Sequence, residues 1–457
     1  MNQVIVFAIL FGLLYLIAVG SLHIRYLALL AGTILFPLGI SFLQSPTIRP
    51  MDLFLYGFLF VTFFKDRDTI FEDIKAFPLK FPLLLIILSH FISVYYNEGF
   101  SVKQFYAATR EFIELYGYIF AAFLVSRHSD TSNILQKVYY FTIVICILGF
   151  IEVLLQGNYP YTFICRAFPV YSGYYNLDNI ASSMRDYRIR ASMTTAHPTA
   201  FGTLLTCLTV TFVSLWNCPG WKKTNLVILY ALLAIALFIS GSRTGMVCSA
   251  IGIAMLFIRK RQVLLKITCI GIIVFSTLLY VNVLVEEFSK ESQGSSLSMR
   301  QEQLLFTFLQ IQQSPIFGNG VGYTKNVFDY DDDGRVINDD TIGGLESIVY
   351  RSLIDYGFIG LSVYYFLSLW LFISFFRRRN DNYARAAGYT LVLTNTLFFT
   401  LSGHIGNNTA FAFLFEGLML GTIIPAEDKK ISALEKDGVQ GEKTLAIDTE
   451  PVENSSN

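Results

Sequence analysis

Arginine residues stand at the borders of several apolar stretches of this chain. Arg188 and Arg190 lie in the stretch RIRASMTT. Arg243 lies in SGSRTG between two apolar runs, and Arg300 opens an amphipathic run. Arginine is always charged, and its planar fork of N–H donors matches phosphate oxygens. The pattern predicts a site for an anionic ligand, with a phosphate carried on a lipid as the natural candidate. The alternatives are a hairpin-capping cation for Arg243 and ordinary loop solvation for Arg188.

A glycine-rich stretch, PIFGNGVGYT, contributes Gly318, Gly320 and Gly322. Such spacing allows a tight turn and a close approach of the backbone to a ligand. It is not a dinucleotide-binding fingerprint, because no strand pattern precedes it. We expect these three glycines to line the same anion site.

Two residues could act as a general base. Glu346 stands at the beginning of a long apolar stretch, and His404 lies in LSGHIGNNT. A catalytic base must reach the hydroxyl whose proton it takes, and Glu346 is the first candidate, with His404 in reserve. Alternatively, Glu346 is a charge favoured at a helix N-terminus by the macrodipole. His197, directly before Pro198, is predicted to cap or pack rather than to react.

The stretch after Glu346 carries two more predictions. Arg351 and Asp355 are four residues apart, which places them on one helix face where they can neutralise each other. Gly357 and Gly360 lie deeper in the same stretch and are predicted to let a neighbouring helix pack closely.

An acidic segment, DYDDDGRVINDD at 329–340, follows the spacing of a calcium-binding loop. The predicted ligands of a structural calcium ion are Asp329, Asp331, Asp333, the carbonyl of Arg335, and Asp340. Position 12 of the pattern is Asp rather than Glu, and no flanking helix pair is evident. The alternative is a solvated acidic loop that repels anions or contacts sugar hydroxyls.

The composition of the chain indicates which kind of secondary structure positions these residues. The chain has 457 residues, of which 54% are hydrophobic and only 15% charged. Its mean hydropathy is +0.52. About 20 apolar residues span a bilayer core, and runs near that length recur without strand-like alternation. Six scattered cysteines without a CxxC pair indicate neither a disulfide framework nor a zinc site. The sequence therefore predicts an all-α polytopic membrane protein, whose direct partner is the lipid bilayer.

About 12 or 13 transmembrane helices are expected, since the run at 51–64 is short. The predicted spans are 3–20, 26–43, 51–64, 81–96, 108–126, 138–156, 198–216, 224–240, 245–258, 263–284, 347–376, 384–402 and 408–424. Few prolines and glycines interrupt them, so no broken-helix pair is predicted. Basic clusters such as Lys222–Lys223 and Arg377–Arg379 fall on one side, which we assign to the cytoplasm. The opposite side then carries 157–197, SGSRTG and the large loop 285–346.

Four stretches in this order resemble the O-antigen ligase and O-antigen polymerase superfamily of bacterial membrane glycosyltransferases. They are RIRASMTTAHPTAFG, SGSRTGMV, MRQEQLLFTFLQIQQSPIFGNGVGYT and ESIVYRSLIDYGFIGL. The resemblance covers roughly residues 140 to 375. It implies a GT-C-like, metal-independent enzyme that needs no cofactor and works at the periplasmic face of the inner membrane. The implied donor is a glycan on undecaprenyl pyrophosphate, gripped by Arg190, Arg243 and Arg300.

One departure from the family separates its two activities. Ligases place a histidine, followed by Asn, Ser or Gln, nine residues before a GxxG pair. Here Glu346 and Ser347 precede the nine residues 348–356, and Gly357 and Gly360 follow. The missing histidine favours a polymerase that joins lipid-linked repeat units over a ligase that transfers glycan to lipid A-core.

The expected organisation is a transmembrane glycosyltransferase domain at 1–425 and a disordered cytoplasmic tail at 426–457. A chain-length regulator is a candidate protein partner, and no nucleic-acid partner is expected. The alternative of another class is a transporter or flippase. Its motivation is a set of ionisable residues within or near apolar runs. They are Arg110, Glu111, Glu114, Glu152 and Glu416.

Overall fold

A computed structural model of the protein describes most of the chain. The described residues are 2–37, 39–44, 47–99, 101–168, 170–171, 184–185, 188–195, 197–257, 296–324, 345, 347–377, 383–401 and 407–424.

Helices make up nearly all of the described structure. In chain order they are α1 (Asn2–Val19), α2 (Leu22–Leu35), α3 (Pro50–Lys65), α4 (Arg67–Ala76), α5 (Lys80–Glu98), α6 (Val102–His128), α7 (Thr131–Leu154), α8 (Tyr159–Cys165), α9 (Pro198–Ser214), α10 (Lys223–Ser240), α11 (Arg243–Phe257), α12 (Ser296–Ile311), α13 (Ile348–Phe376), α14 (Tyr383–Leu401) and α15 (Asn408–Ile423). A short 3-10 turn, Leu215–Asn217, extends α9.

The remaining regular structure consists of three antiparallel pairs of two-residue strands. The strands are β1 (Ile40–Ser41), β2 (Leu43–Gln44), β3 (Thr47–Ile48), β4 (Val170–Tyr171), β5 (Met184–Arg185) and β6 (Arg188–Ile189). β1 pairs with β4, β2 with β3, and β5 with β6. These pairs are too short to form a layer of their own.

Within the described residues, six helices are long and apolar enough to cross a membrane. They are Asn2–Val19, Lys80–Asn97, Thr131–Leu154, Pro198–Asn217, Lys223–Ser240 and Ile348–Phe376. Three shorter apolar helices, α2, α11 and α15, accompany them. A helix satisfies its own backbone donors and acceptors, which the interior of a bilayer demands. The protein is an all-α, multi-pass membrane protein, as its sequence predicts.

The predicted spans coincide with helices, with one correction and one untested case. The span predicted at 26–43 is too long, because α2 ends at Leu35. Pro37 follows, and the residue before a proline is driven to an extended backbone; Phe36 has φ −108° and ψ 105°. The predicted span 263–284 lies outside the described residues. The helix α4 was not predicted, because its sequence RDTIFEDIKA mixes charges with apolar residues.

Two helices form the centre of the bundle. Almost every residue of α9 and of α15 is buried. On α15, Gly417 and Gly421 lie directly against α6, where a Cβ on either would overlap the carbonyl oxygens of Ile119 and Phe123 respectively. Small residues at these two positions let α6 and α15 approach closely.

Hydrogen bonds between helix termini define two ends of the bundle. At one end, Asn407 before α15 bonds the Thr33 carbonyl of α2, and Ser347 before α13 bonds the Thr400 carbonyl of α14 at 2.7 Å. Arg190, Arg243 and Arg351 all lie at this end, and we call it the arginine end. At the opposite end, Arg25 pairs with Asp66 at 2.9 Å and Arg127 with Asp73 at 2.7 Å. Lys222 and Arg377 also lie there, in agreement with the predicted basic side.

Candidate functional site

The turn between α10 and α11 explains why Arg243 interrupts two apolar segments. Gly241 ends α10 in the left-handed conformation, with φ 58°. The Ser242 hydroxyl then accepts a hydrogen bond from the Gly245 amide at 3.2 Å and caps α11. Glycine after a helix and serine before one are the preferred residues for these two tasks. Arg243 is the first residue of α11, and its side chain is exposed at the arginine end.

This turn is fixed against α9. The side chain of Ser242 lies so close to Gly202 that a Cβ at position 202 would overlap the serine hydroxyl. Ser249 on α11 donates to Thr206 Oγ1 on α9 at 3.1 Å, one turn deeper. The position of Arg243 at the start of α11 is therefore set by packing against the central helix α9.

Arg190 lies beside the same turn. The backbone amide of Ala191 donates to the Ile239 carbonyl at the end of α10, at 3.0 Å. A Cβ on Gly241 would lie only 2.7 Å from Cδ of Arg190, so glycine is required where the arginine stem crosses the turn. Arg190 and Arg243 thus flank one turn at one end of the bundle. The stem of Arg190 crosses this turn at Gly241, two residues before Arg243 in the chain.

His197 has the capping role predicted for it. Its Nδ1 accepts a hydrogen bond from the Thr199 amide at 3.2 Å at the start of α9. An imidazole nitrogen can accept only when it carries no proton. Burial, and secondly the positive charge of Arg190, lower the pKa of His197 to about 4. The imidazole next to the arginines therefore stays neutral at physiological pH, which avoids a further positive charge there.

The glycine-rich stretch inserts into a break in α13. Gly357 has φ 66°, which interrupts the helix, and the freed backbone groups bond to the loop. The amides of Phe358 and Ile359 donate to the carbonyls of Pro315 and Ile316 at 2.9 and 3.2 Å. This single break does not test the prediction that no broken-helix pair is present, and it was not foreseen because one glycine is a weak signal of a break.

The three loop glycines have a structural task in this arrangement. Gly318, Gly320 and Gly322 have φ values of 74°, 109° and 74°. A Cβ on Gly318 would overlap the backbone of Asp355, and the Gly320 amide donates to the Asp355 carbonyl at 3.1 Å. These glycines let the loop lie against α13. Gly357 accordingly accommodates this loop, and not a neighbouring helix as its position in the sequence suggests.

A buried charge network fastens the same loop. Arg351 donates to Glu111 of α6 at 2.7 Å and lies 3.4 Å from Asp355, as predicted for the second pair. Asp355 has no exposed surface, and it accepts hydrogen bonds from the Thr324 amide and hydroxyl at 2.8 and 3.0 Å. A buried charge is tolerated when it is paired and fully hydrogen-bonded. The network therefore ties α6, α13 and the end of the glycine loop into one unit.

A small cavity of about 30 Å³ adjoins this network, which is room for one or two waters. His90 stacks on Tyr356 in its wall, with ring centroids 4.1 Å apart. Glu111, Arg351 and Ser352 are among its other polar lining residues. The cavity is too small for a sugar ring.

The residues that suggested a transport path have local partners in the structure. Glu416 is buried in α15 and accepts a hydrogen bond from Asn395 Nδ2 at 2.7 Å. Arg110 pairs with Asp52 of α3 at 3.1 Å and also with Glu114. The Glu416–Asn395 and Arg110–Asp52 contacts join neighbouring helices, whereas the Arg110–Glu114 pair lies within α6, so these charged residues have local partners.

An apolar groove of about 310 Å³ lies beside the arginine end, between α7 and α8. Its lining residues are Leu148, Ile151, Glu152, Leu155, Tyr159, Pro160 and Phe163. Several of the apolar side chains are exposed, including Leu155 at 57% and Tyr159 at 59%.

Several predicted site residues fall outside the described part of the chain. The side chains of Arg188 and Arg300 do, although their backbones lie in β6 and α12. The candidate bases Glu346 and His404 lie outside it as well, as do the predicted calcium ligands Asp329, Asp331, Asp333, Arg335 and Asp340. Among the residues that are described, no three His, Cys, Asp or Glu side chains group as metal ligands. The base and the calcium site remain predictions.

One part of the chain matches a known protein family. Residues 228–365 match the family model described as O-antigen ligase. This segment includes Arg243, α12 with Arg300, the glycine loop and the first part of α13 with its break, whereas Arg190 precedes it. The search of curated proteins found no match.

Proposed function

We propose that this protein is a membrane glycosyltransferase that polymerises lipid-linked repeat units. The proposal starts from the match at 228–365, which supports membership of the O-antigen ligase and O-antigen polymerase superfamily. It transfers the growing glycan from undecaprenyl pyrophosphate to the non-reducing end of a new lipid-linked unit. The observation that carries the proposal is that Arg190 and Arg243 flank one rigid turn at one end of the bundle.

The chemistry needs charge neutralisation above all. As the acceptor oxygen bonds to the anomeric carbon, the glycosidic bond to the pyrophosphate breaks, and negative charge develops on the phosphate oxygen. Fixed guanidinium groups at the membrane edge stabilise that charge without reorganisation. Arg190 and Arg243 take this task, with Arg300 as a third donor. Glu346 takes the proton of the acceptor hydroxyl, and no metal ion is required.

The surroundings of the arginines suit a lipid-linked donor. The apolar groove between α7 and α8 lies at the same end of the bundle and can receive part of a polyprenyl chain. We place the arginine end at the periplasmic face of the inner membrane and the tail 426–457 in the cytoplasm, because the basic loops lie at the opposite end. A chain-length regulator remains a candidate partner.

The test is the length of polymer made in cells that carry single substitutions. Arg243→Ala and Arg190→Ala are expected to lower polymerisation about a hundredfold, since each removes a donor to the developing charge. Arg67→Ala is the matched control, because Arg67 lies at the opposite end and its side chain is 76% exposed. Chains of wild-type length in both arginine variants would exclude the mechanism.

Deleting the gene distinguishes the two activities of the superfamily. A polymerase predicts that only single repeat units remain on the lipid carrier. Accumulation of full-length polymer that is not attached to lipid A-core would instead identify a ligase. The glutamate at position 346, where ligases carry histidine, favours the first result.

A further inference from the structure

A buried carboxylate holds the segment that carries Arg190. Glu152, in the last turn of α7, is 1% exposed. Its two oxygens accept hydrogen bonds from the Ser192 amide at 3.1 and 3.2 Å, from the Ser192 hydroxyl at 3.2 Å and from the Met193 amide at 2.7 Å. Charge-assisted bonds to backbone amides are stronger than bonds between neutral groups. Glu152 thus fixes the backbone two residues after Arg190.

The conformation of this segment needs such support. Met193 has φ 53°, a left-handed conformation that non-glycine residues rarely adopt. Strained backbone persists only where surrounding contacts impose it, and it concentrates at functional sites. The Met193 amide makes the shortest of the Glu152 contacts, so the carboxylate acts at the strained residue itself.

Other contacts hold the segment on both sides. The Asn158 side chain before α8 donates to the Ser192 hydroxyl at 2.6 Å. On the other side, the Ala191 amide bonds the Ile239 carbonyl at the end of α10, which brings Arg190 across Gly241. The segment therefore links α7 to the α10–α11 turn, with Glu152 as its only charged anchor among these contacts.

We propose that Glu152 is a positioning residue, which holds Arg190 beside Arg243 and thereby sets the affinity of the site for a lipid diphosphate. This inference rests on the proposed function for its ligand. Glu152 precedes the segment that matches the family model, so the comparison assigns it no role.

The test compares Glu152→Gln with the wild-type protein in detergent by two measurements. One is the binding of farnesyl diphosphate, and the other is hydrogen exchange in the segment 188–195. Glutamine keeps the size of the side chain but loses the charge and one acceptor. We expect binding about tenfold weaker and exchange about tenfold faster. Ser192→Ala removes the hydroxyl contacts with Glu152 and Asn158 but no buried charge, and it is expected to change both measurements in the same direction by less.

Two comparisons separate positioning from general damage to the fold. Glu416→Gln is the matched control, because it also replaces a buried carboxyl by an amide, and Glu416 bonds only Asn395 among the described contacts. It should leave exchange in 188–195 and diphosphate binding unchanged. In a background of Arg190→Ala the effect of Glu152→Gln on binding should disappear, whereas in a background of Arg243→Ala it should remain.

Unchanged exchange in 188–195 would overturn the proposal, and so would an equal loss of binding with or without Arg190. If the wild-type protein binds no farnesyl diphosphate while Glu152→Gln still accelerates exchange, the proposed function fails and the role of Glu152 in holding the segment stands.

Discussion

At the scale of single residues, the arginine end combines permanent positive charges with a histidine kept neutral. Burial of His197 lowers the pKa of its imidazole, and the positive charge of Arg190 lowers this pKa further. The same imidazole caps α9 through Nδ1, which only the unprotonated ring can do. The type of this residue and its place before Pro198 predict the cap, but only the tertiary structure shows the burial and the nearby Arg190 that disfavour its protonation.

The pH dependence of stability should reveal this histidine. The pKa of His197 falls from 6.5 to about 4 on folding, so between these values the unfolded chain binds more protons than the folded one. The free energy of unfolding therefore decreases as pH falls from 6.5 to 4, by at most about 1.4 kcal/mol per pH unit from this residue. His197→Asn keeps a capping acceptor and should remove this contribution from unfolding curves recorded in detergent. At pH 8 both proteins should show the same pH slope. Identical slopes at pH 5 would contradict the prediction.

At the scale of elements, the glycine loop and α13 form one unit. The break at Gly357 leaves backbone amides without helical partners, and Pro315 and Ile316 accept their hydrogen bonds. Arg351 and Asp355 then hold Thr324 at the end of the loop. In the sequence this stretch looks like a ligand-binding turn. In the structure its glycines are needed for another reason, because they let the loop lie against α13.

Alanine substitution at Gly357 tests this coupling. A Cβ there would overlap the Ile316 carbonyl oxygen, and φ is 66°. We expect a loss of about 3 kcal/mol in the free energy of unfolding, from strain and overlap together. Gly99→Ala is the control, because Gly99 has φ 68° but nothing within 4 Å of a new Cβ. It should cost only about 1 kcal/mol. Equal losses in the two variants, measured by denaturant titration in detergent, would show that the contact with Ile316 contributes nothing.

At the scale of the whole molecule, the distribution of charge indicates orientation. The arginine end carries the proposed site, and the opposite end carries Arg67, Lys222 and the paired Arg25 and Arg127. Positive residues in short loops favour the cytoplasm. This distribution supports our proposal that the site faces the periplasm, where a lipid-linked glycan and its acceptor would meet.

Labelling of single cysteines tests this orientation. In a chain whose native cysteines are replaced, Gly99→Cys lies at the arginine end and Gly220→Cys at the opposite end. Both positions are open, with nothing within 4 Å of a new Cβ, and both have positive φ. A membrane-impermeant maleimide added to intact spheroplasts should label only Gly99→Cys, and permeabilisation should add Gly220→Cys. The reverse pattern would place the proposed site in the cytoplasm.

The amino-acid sequence alone determined the class of this protein, most of its helices and the sidedness of its charges, because hydrophobic length and loop charge act locally along the chain. It also indicated the arginines, since a permanent charge beside an apolar run stands out. Only the tertiary structure decided that Arg190 crosses Gly241, that Glu152 anchors the strained Met193, and that the glycine loop inserts into α13. Each of these contacts joins segments far apart in the chain, and backbone hydrogen bonds between them leave no periodic signal in residue types.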